Sequence, residues 1–211
     1  MKKRFLVLII VVCVLLPATL SAAMVGLSIG ATAQYNQNFA EMKTSMEDGD
    51  FGSDLIKFEN YTIGADVRLK ILIAEIDMVG MFGKATVGTD DYTTISVLTT
   101  GGISLDIMNF ARIGFGMGPR FNVLIDNDMD IFILDSSGTS VDSMDGLGEA
   151  FINSPVAYRA TLDFKLGNMM LGLNYTVDSD YTFKNWQEID KLFTNSPDQG
   201  TVGISFLLSL I

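Results

Sequence analysis

The chain has no histidine and a single cysteine, Cys13, among its 211 residues. Without histidine the commonest general base is missing, so His-dependent hydrolysis and acyl transfer are excluded and catalysis is not expected. Basic residues are scarce, 14 Lys and Arg against 25 Asp and Glu, and a formal charge of −11 makes nucleic acid an unsuitable partner. Long hydrophobic runs are also lacking. Only the N-terminal one has the length of a membrane-spanning helix. Proline is rare (4) and glycine plentiful (20), and the remaining apolar residues are spread through short alternating segments.

The N-terminal run reads as an export signal. Lys2, Lys3 and Arg4 precede the apolar stretch Phe5–Leu16, and Ser21, Ala22 and Ala23 form a small-residue cleavage site. Residues 1–23 are therefore expected to be a signal peptide, leaving 24–211 as the mature chain. Cys13 lies inside the apolar run behind Val12, unlike a lipid-modified cysteine, and is removed with the signal. The mature chain then has no disulfide chemistry, and eleven basic residues face twenty-five acids for a net charge of −14.

Ala111–Val123 carries the clearest pattern. Ala111, Ile113, Phe115, Met117, Pro119, Phe121 and Val123 alternate with Arg112, Gly114, Gly116, Gly118, Arg120 and Asn122. In an extended strand one face is wholly apolar and the other holds only glycine, asparagine and arginine. Glycines between charges suit a narrow crowded interior, and large apolar residues suit lipid. The same alternation recurs in Val25–Tyr35, Tyr61–Leu69, Leu72–Phe82, Ile95–Ile107, Val156–Leu166, Met169–Val177 and Thr201–Leu210. Leu98 breaks it by falling on the polar face. Eight strands of membrane-spanning length predict an all-β, eight-stranded antiparallel up-and-down transmembrane β-barrel.

The connections alternate in length as such a barrel requires. Lys70–Ile71, Met108–Phe110 and Gly167–Asn168 are short, and the last suits a type II′ hairpin. Residues 38–57, 83–92, 124–155 and 178–200 are expected to be four longer extracellular loops. Tyr35, Tyr61, Phe82, Phe121, Tyr158 and Tyr175 lie on the apolar faces toward the long-loop ends, where an aromatic girdle belongs. Pro119 lacks an N–H and needs a bulge or a place above the hydrocarbon. The alternative of a soluble ligand-binding barrel of lipocalin type requires the apolar faces inside.

At the C-terminus Thr201, Gly203, Phe206 and Leu208 match the polar-x-Gly-x-x-hydrophobic-x-hydrophobic signal read by the barrel-assembly machinery, although the chain ends at Ile211 in place of the usual Phe. With the export signal and eight staves, the mature chain resembles the small eight-stranded outer-membrane proteins: the OmpA transmembrane domain, OmpX and OmpW. The resemblance implies outer-membrane lipid and the assembly machinery as partners, and no cofactor. It implies a non-enzymatic structural or surface-interaction role through acidic loops, or, as the OmpW likeness would have it, a passive channel for small, hydrophobic solutes.

The polar faces place Asp66, Arg68, Glu75, Asp77, Asp106, Arg112, Arg120, Arg159, Asp163 and Lys165 in the interior. Buried charges must pair or meet water, so these are expected to form a salt-bridge plug. Asp106 should face Arg112 across the Met108–Phe110 turn, with Arg68 and Glu75 close across the preceding one. Residues 124–155 hold seven acids and no Lys or Arg. Asp126, Asp128 and Asp130 have the spacing of a calcium-loop start, but the Gly and distal Glu of an EF-hand are out of register, so a solvated acidic loop is expected and no metal. Ile131–Leu134 suits a strand extension. Trp186–Phe193 suits an amphipathic helical turn with Trp186, Ile189, Leu192 and Phe193 on one face.

Overall fold

The computed structural model describes residues 25–87, 90–125, 131–134, 140–141, 151–194 and 196–211. The expected signal peptide and the Asp126, Asp128, Asp130 cluster lie outside the described residues. Eight long strands make the wall: β1 Val25–Asn38, β2 Tyr61–Ile71, β3 Ala74–Val87, β4 Asp90–Ile107, β5 Ala111–Ile125, β8 Pro155–Leu166, β9 Met169–Thr182 and β10 Thr201–Ser209. Two short strands, β6 Ile131–Leu134 and β7 Ser140–Val141, continue the sheet beyond β5. Every wall strand pairs antiparallel with its neighbours, and the β4–β5 and β1–β10 pairings close the ring. The fold is an all-β, up-and-down, eight-stranded barrel.

The faces sort by polarity in the sense opposite to a soluble domain. Ile113, Phe115, Leu171 and Ile204 are 47%, 51%, 43% and 53% exposed on the outer wall, whereas Asp66, Arg68 and Asp163 are 0% exposed inside. A lipocalin-type arrangement requires the reverse. The interior is not uniformly polar, however. Val79, Met81, Leu98 and Ala157 form a buried apolar cluster toward the long-loop end, and Met170 and Leu207 are buried side by side toward the other. Leu98, the residue out of pattern in its strand, is one of these inward plugs.

Two connections differ from expectation. The β2–β3 turn is Leu72–Ile73, with Lys70 and Ile71 still in the ladder. Leu72 adopts a left-handed φ of 58° and Met108 one of 52° in the turn after β4. Neither is the glycine or asparagine that marks such positions, so composition gave no signal for them. Gly167 takes φ 69°, as its turn requires. The segment 83–92 is largely strand: Lys84↔Thr93 through Val87↔Asp90 pair, and the hairpin projects with only residues 88–89 between the strands. Thr86, Tyr92, Thr93 and Thr94 are β-favouring, which explains the extension.

Pro119 sits where the β4–β5 ladder passes from Leu98↔Arg120 to Gly101↔Met117 with no pairing at Pro119 itself. The register is the same on both sides of that gap, so no bulge is used and the ladder is interrupted at the missing N–H, while on its other side Pro119 pairs with Val156. The first long connection folds into helices α1 (Phe39–Asp48) and α2 (Phe51–Leu55). The Asn38 side chain caps α1 at Glu41 N–H, Glu41 reciprocates on the Asn38 N–H, and Gly49 ends the helix at φ 82°. In the fourth connection Ile189–Phe193 is a short 3-10 turn; Trp186, Ile189 and Phe193 are exposed, and the Leu192 carbonyl accepts from Tyr158 Oη at 3.0 Å.

Backbones approach closely at inward glycines. A Cβ on Gly64 would lie 1.9 Å from the Gly80 carbonyl oxygen, whereas one on Gly80 meets nothing within 4 Å. Gly64→Ala is predicted to lower the unfolding free energy by about 1–3 kcal/mol, as overpacking does, and Gly80→Ala to change it by less than about 0.5 kcal/mol. Urea unfolding of the two variants in lipid vesicles measures both. Equal effects would show that the close approach relaxes freely.

Candidate functional site

The candidate site is the ionic layer across the barrel interior. In ring order β2 and β8 stand four strands apart in either direction, so they are opposite walls. Arg68 on β2 reaches across to Asp163 on β8 at 2.7 Å, and Arg159 on β8 reaches back to Asp66 on β2 at 3.0 Å. Arg68 also holds Asp66 through two bonds, Nε–Oδ1 at 3.1 Å and Nη2–Oδ2 at 2.8 Å. Asp77 lies 2.7 Å from Arg159 and 3.8 Å from Arg68. Ser205 Oγ donates to Asp66 at 2.9 Å and receives Asn174 Nδ2 at 3.1 Å, tying β9 and β10 to the cluster.

A second cluster lies toward the short turns. Asp106 accepts from Arg112 Nε at 3.0 Å, from Lys165 Nζ at 2.6 Å and from Lys70 Nζ. Arg112 also approaches Glu75 at 3.6 Å. The register pairs Asp106 with Arg112 directly. It pairs Arg68 with Asp77 and Lys70 with Glu75, so Arg68 and Glu75 are diagonal neighbours across the hairpin and each bonds elsewhere, Arg68 to Asp163 and Glu75 to Arg112. The turn at Leu72–Ile73 comes two residues later than expected, which brings Lys70 rather than Asp66 opposite Glu75. The same displacement explains why Lys70, buried at 2% exposure, went unnamed among the interior charges.

Arg120 stands apart from both clusters, near the long loops, on the half-exposed Asp178 at 3.0 Å. Without it, five acids (Asp66, Glu75, Asp77, Asp106, Asp163) meet five bases (Arg68, Lys70, Arg112, Arg159, Lys165). The three acids around Arg68 and Arg159 leave one negative charge in excess, and the three bases around Asp106 and Glu75 leave one positive. Each cluster therefore offsets the other. Between them lies a cavity of about 10 Å³ lined by Glu75, Asp77, Arg159 and Thr161, about the space of one water centre. A solute has no room there.

The remaining residues singled out by sequence fall elsewhere. Thr201 starts β10 and accepts from Gln34; Gly203 is buried against the Ala33 carbonyl; Phe206 and Leu208 face outward. Tyr35, expected in an exposed girdle, is only 3% exposed because the tilted Tyr61 ring packs against it at 5.3 Å and α1 and α2 overhang it. Among the described residues no group of three or more possible ligands is placed to hold a metal, and no helix is long and apolar enough to cross a membrane. In the overhang Lys57 donates to Asp54 at 3.0 Å, which holds the Asp54 carboxyl below and the Lys57 amine above its ordinary range.

No family model matches the chain, and no curated protein matches it in sequence. Among solved structures it is similar to Ail, the attachment invasion locus protein of Yersinia pestis, in complex with the heparin analogue sucrose octasulfate. The similarity is 14% in identity over 88% of this chain and 95% of that one, with a TM-score of 0.41. No function is carried across at that distance.

Removing one member of the trans-barrel cluster strands the others in a dry interior. Arg68→Met is predicted to destabilise by about 3–5 kcal/mol, and Arg120→Met by less than about 1 kcal/mol because its partner is half exposed. Guanidinium unfolding in detergent micelles reads both. Similar losses for the two would show that the bore is wet throughout.

Proposed function

We propose that the chain is a non-enzymatic integral protein of the bacterial outer membrane, exported by its N-terminal signal, whose sealed barrel displays loops at the cell surface. One observation carries this reading: the exposed wall is apolar all round while the ionisable side chains pair inside. In water that arrangement is unfavourable, since an exposed apolar belt of this extent marks a membrane surface. In a bilayer it is the stable one, because a closed barrel satisfies every backbone group and leaves only greasy side chains toward the chains. Lipid of the outer membrane is accordingly the constant partner. The pattern Thr201, Gly203, Phe206, Leu208 on the strand that closes the ring supports recognition by the barrel-assembly machinery.

The interior supports a plug more than a conduit. Ion pairs span the full diameter, apolar side chains lie above and below them, and the space between the two clusters admits about one water. Charge inside also disfavours a channel for hydrophobic solutes. What remains for function is the loop end, which is acidic and takes its partners from outside the cell.

Refolded protein in planar bilayers is predicted to give no discrete openings. Channel events abolished by Arg68→Met or Asp66→Asn would overturn the plug. Migration of unboiled protein that does not shift on heating in detergent would overturn the barrel in solution.

A further inference from the structure

From the overhang of α1 and α2 we infer a binding site, outside the barrel, for a single hydrocarbon chain of a membrane lipid; the inference rests on the membrane reading above. The outer wall under the helices is hollow. Ala33, Tyr35, Leu173 and Ile204 floor a cavity of about 240 Å³, and Met42 from α1 and Leu55 from α2 roof it. Below it, sharing Ala33 and Ile204, an open apolar groove of about 750 Å³ runs down the wall between Phe82 and Phe206. The groove exists because Ala31, Ala65 and Gly80 are successive cross-strand partners on β1, β2 and β3, so three small side chains lie where their neighbours are large.

The roof is built before any ligand arrives. The reciprocal Asn38–Glu41 cap starts α1, the Phe39 N–H bonds the Gly200 carbonyl at 3.2 Å, and the Phe39 ring packs on Tyr175 at 5.6 Å. Tyr61 Oη donates to the Leu55 carbonyl at 2.8 Å and holds α2 down. The site is therefore pinned to both sides of the β1–β10 seam.

Three features select the occupant. The groove is continuous with the exposed apolar wall, so the molecule that enters it is the one bathing that wall. The cavity is smaller than the roughly 300 Å³ at which drug-sized pockets begin, which fits the end of one chain and not a whole amphiphile. The roof offers no free cation to a phosphate, since Lys43 lies 3.9 Å from Glu47 and Lys57 3.0 Å from Asp54. The chain, not the headgroup, is what the site recognises.

Methionine methyls report every part of this claim. Met78 and Met117 are exposed on the wall, and Met42 is in the roof. In nanodiscs of dimyristoylphosphatidylcholine, ¹³C-methyl-methionine protein should show cross-relaxation from Met78, Met117 and Met42 to chain methylenes. Ala33→Phe, which fills the cavity, should abolish the Met42 signal and keep the other two; Leu173→Trp serves the same purpose if the first variant does not fold. The inference is overturned if Met42 lacks chain contacts while Met78 and Met117 have them. It is also overturned if the Met42 contact survives in chain-deuterated lipid, which would mean a co-purified apolar molecule occupies the site. Absence of chain contacts at Met78 and Met117 in folded protein would instead sink the membrane reading itself.

Discussion

Arg68 bonds to carboxylates on two opposite walls, Asp66 on its own strand and Asp163 across the bore, and the rest of the barrel is arranged around that constraint. A guanidinium at 0% exposure is tolerable only with its donors matched, and here Asp66, Asp163 and Asp77 surround it. Such a cluster is weak evidence for stability, because desolvation of its members offsets much of the attraction. Its stronger effect is on register. Shifting any wall strand by one residue turns its whole inner set outward. For β2 that would put Asp66, Arg68 and Lys70 on the apolar outer wall and Val67 and Leu69 into the ionic layer. The charges thus decide which face is inside far more sharply than the apolar residues do, since leucine is nearly as comfortable in a core as in lipid.

The same constraint explains why the bore is closed. An eight-stranded ring leaves a lumen about wide enough for side chains alone. Arginines reaching across it fill the middle, and the glycines on β5 make room for them: a Cβ on Gly114 would lie 3.1 Å from Glu75 Oε1 and 2.5 Å from Thr161 Oγ1. The apolar layers on either side then keep water from the charges. Val79 is the cross-strand partner of both Asp66 and Leu98, so the apolar seal begins immediately above the acids. Met170 and Leu207 do the same toward the short turns. Pairing in the middle and exclusion of water at both ends reinforce each other, because ion pairs are stronger where the dielectric is low.

Period-2 alternation made all eight wall strands legible, since a residue such as Arg112 between Ala111 and Ile113 leaves little choice of face. What alternation cannot locate is where a strand stops. Leu72 and Met108 turn the chain at positive φ without the residues that advertise it, and the strands through Thr86 and Thr93 run on through a stretch expected to be loop. The later turn at Leu72–Ile73 keeps Lys70 in the ladder opposite Glu75, beyond the point where its strand was expected to end. Inward apolar residues were the other blind spot: Val79 and Met81 lie on the polar face of β3, and only three-dimensional neighbours show that they group with Leu98 and Ala157. Helix α1 went unread in a stretch expected to be loop, although Asn38, Glu41 and Gly49, a capping box and a glycine stop, stand in the sequence.

That helix bears on how the ring is closed. The β1–β10 pairing joins the first and last strands of the ring and is therefore the seam no hairpin holds. Its ladder is regular from Ser28↔Ser209 to Gln34↔Gly203 and then slips, resuming at Asn38↔Thr201. At that slip the Phe39 N–H takes the Gly200 carbonyl, Gln34 bonds Thr201, and Phe39 packs on Tyr175 from β9. The first and fourth connections thus continue across the seam the contact that the strands lose. The overhang is for this reason part of barrel closure, and the hollow beneath it is a consequence: a roof fixed by its edges over small residues leaves space that side chains of the wall do not fill. Ala33 and Ile204 pair across the seam and also line the hollow, so a site for a lipid chain and the closing contact share the same few residues.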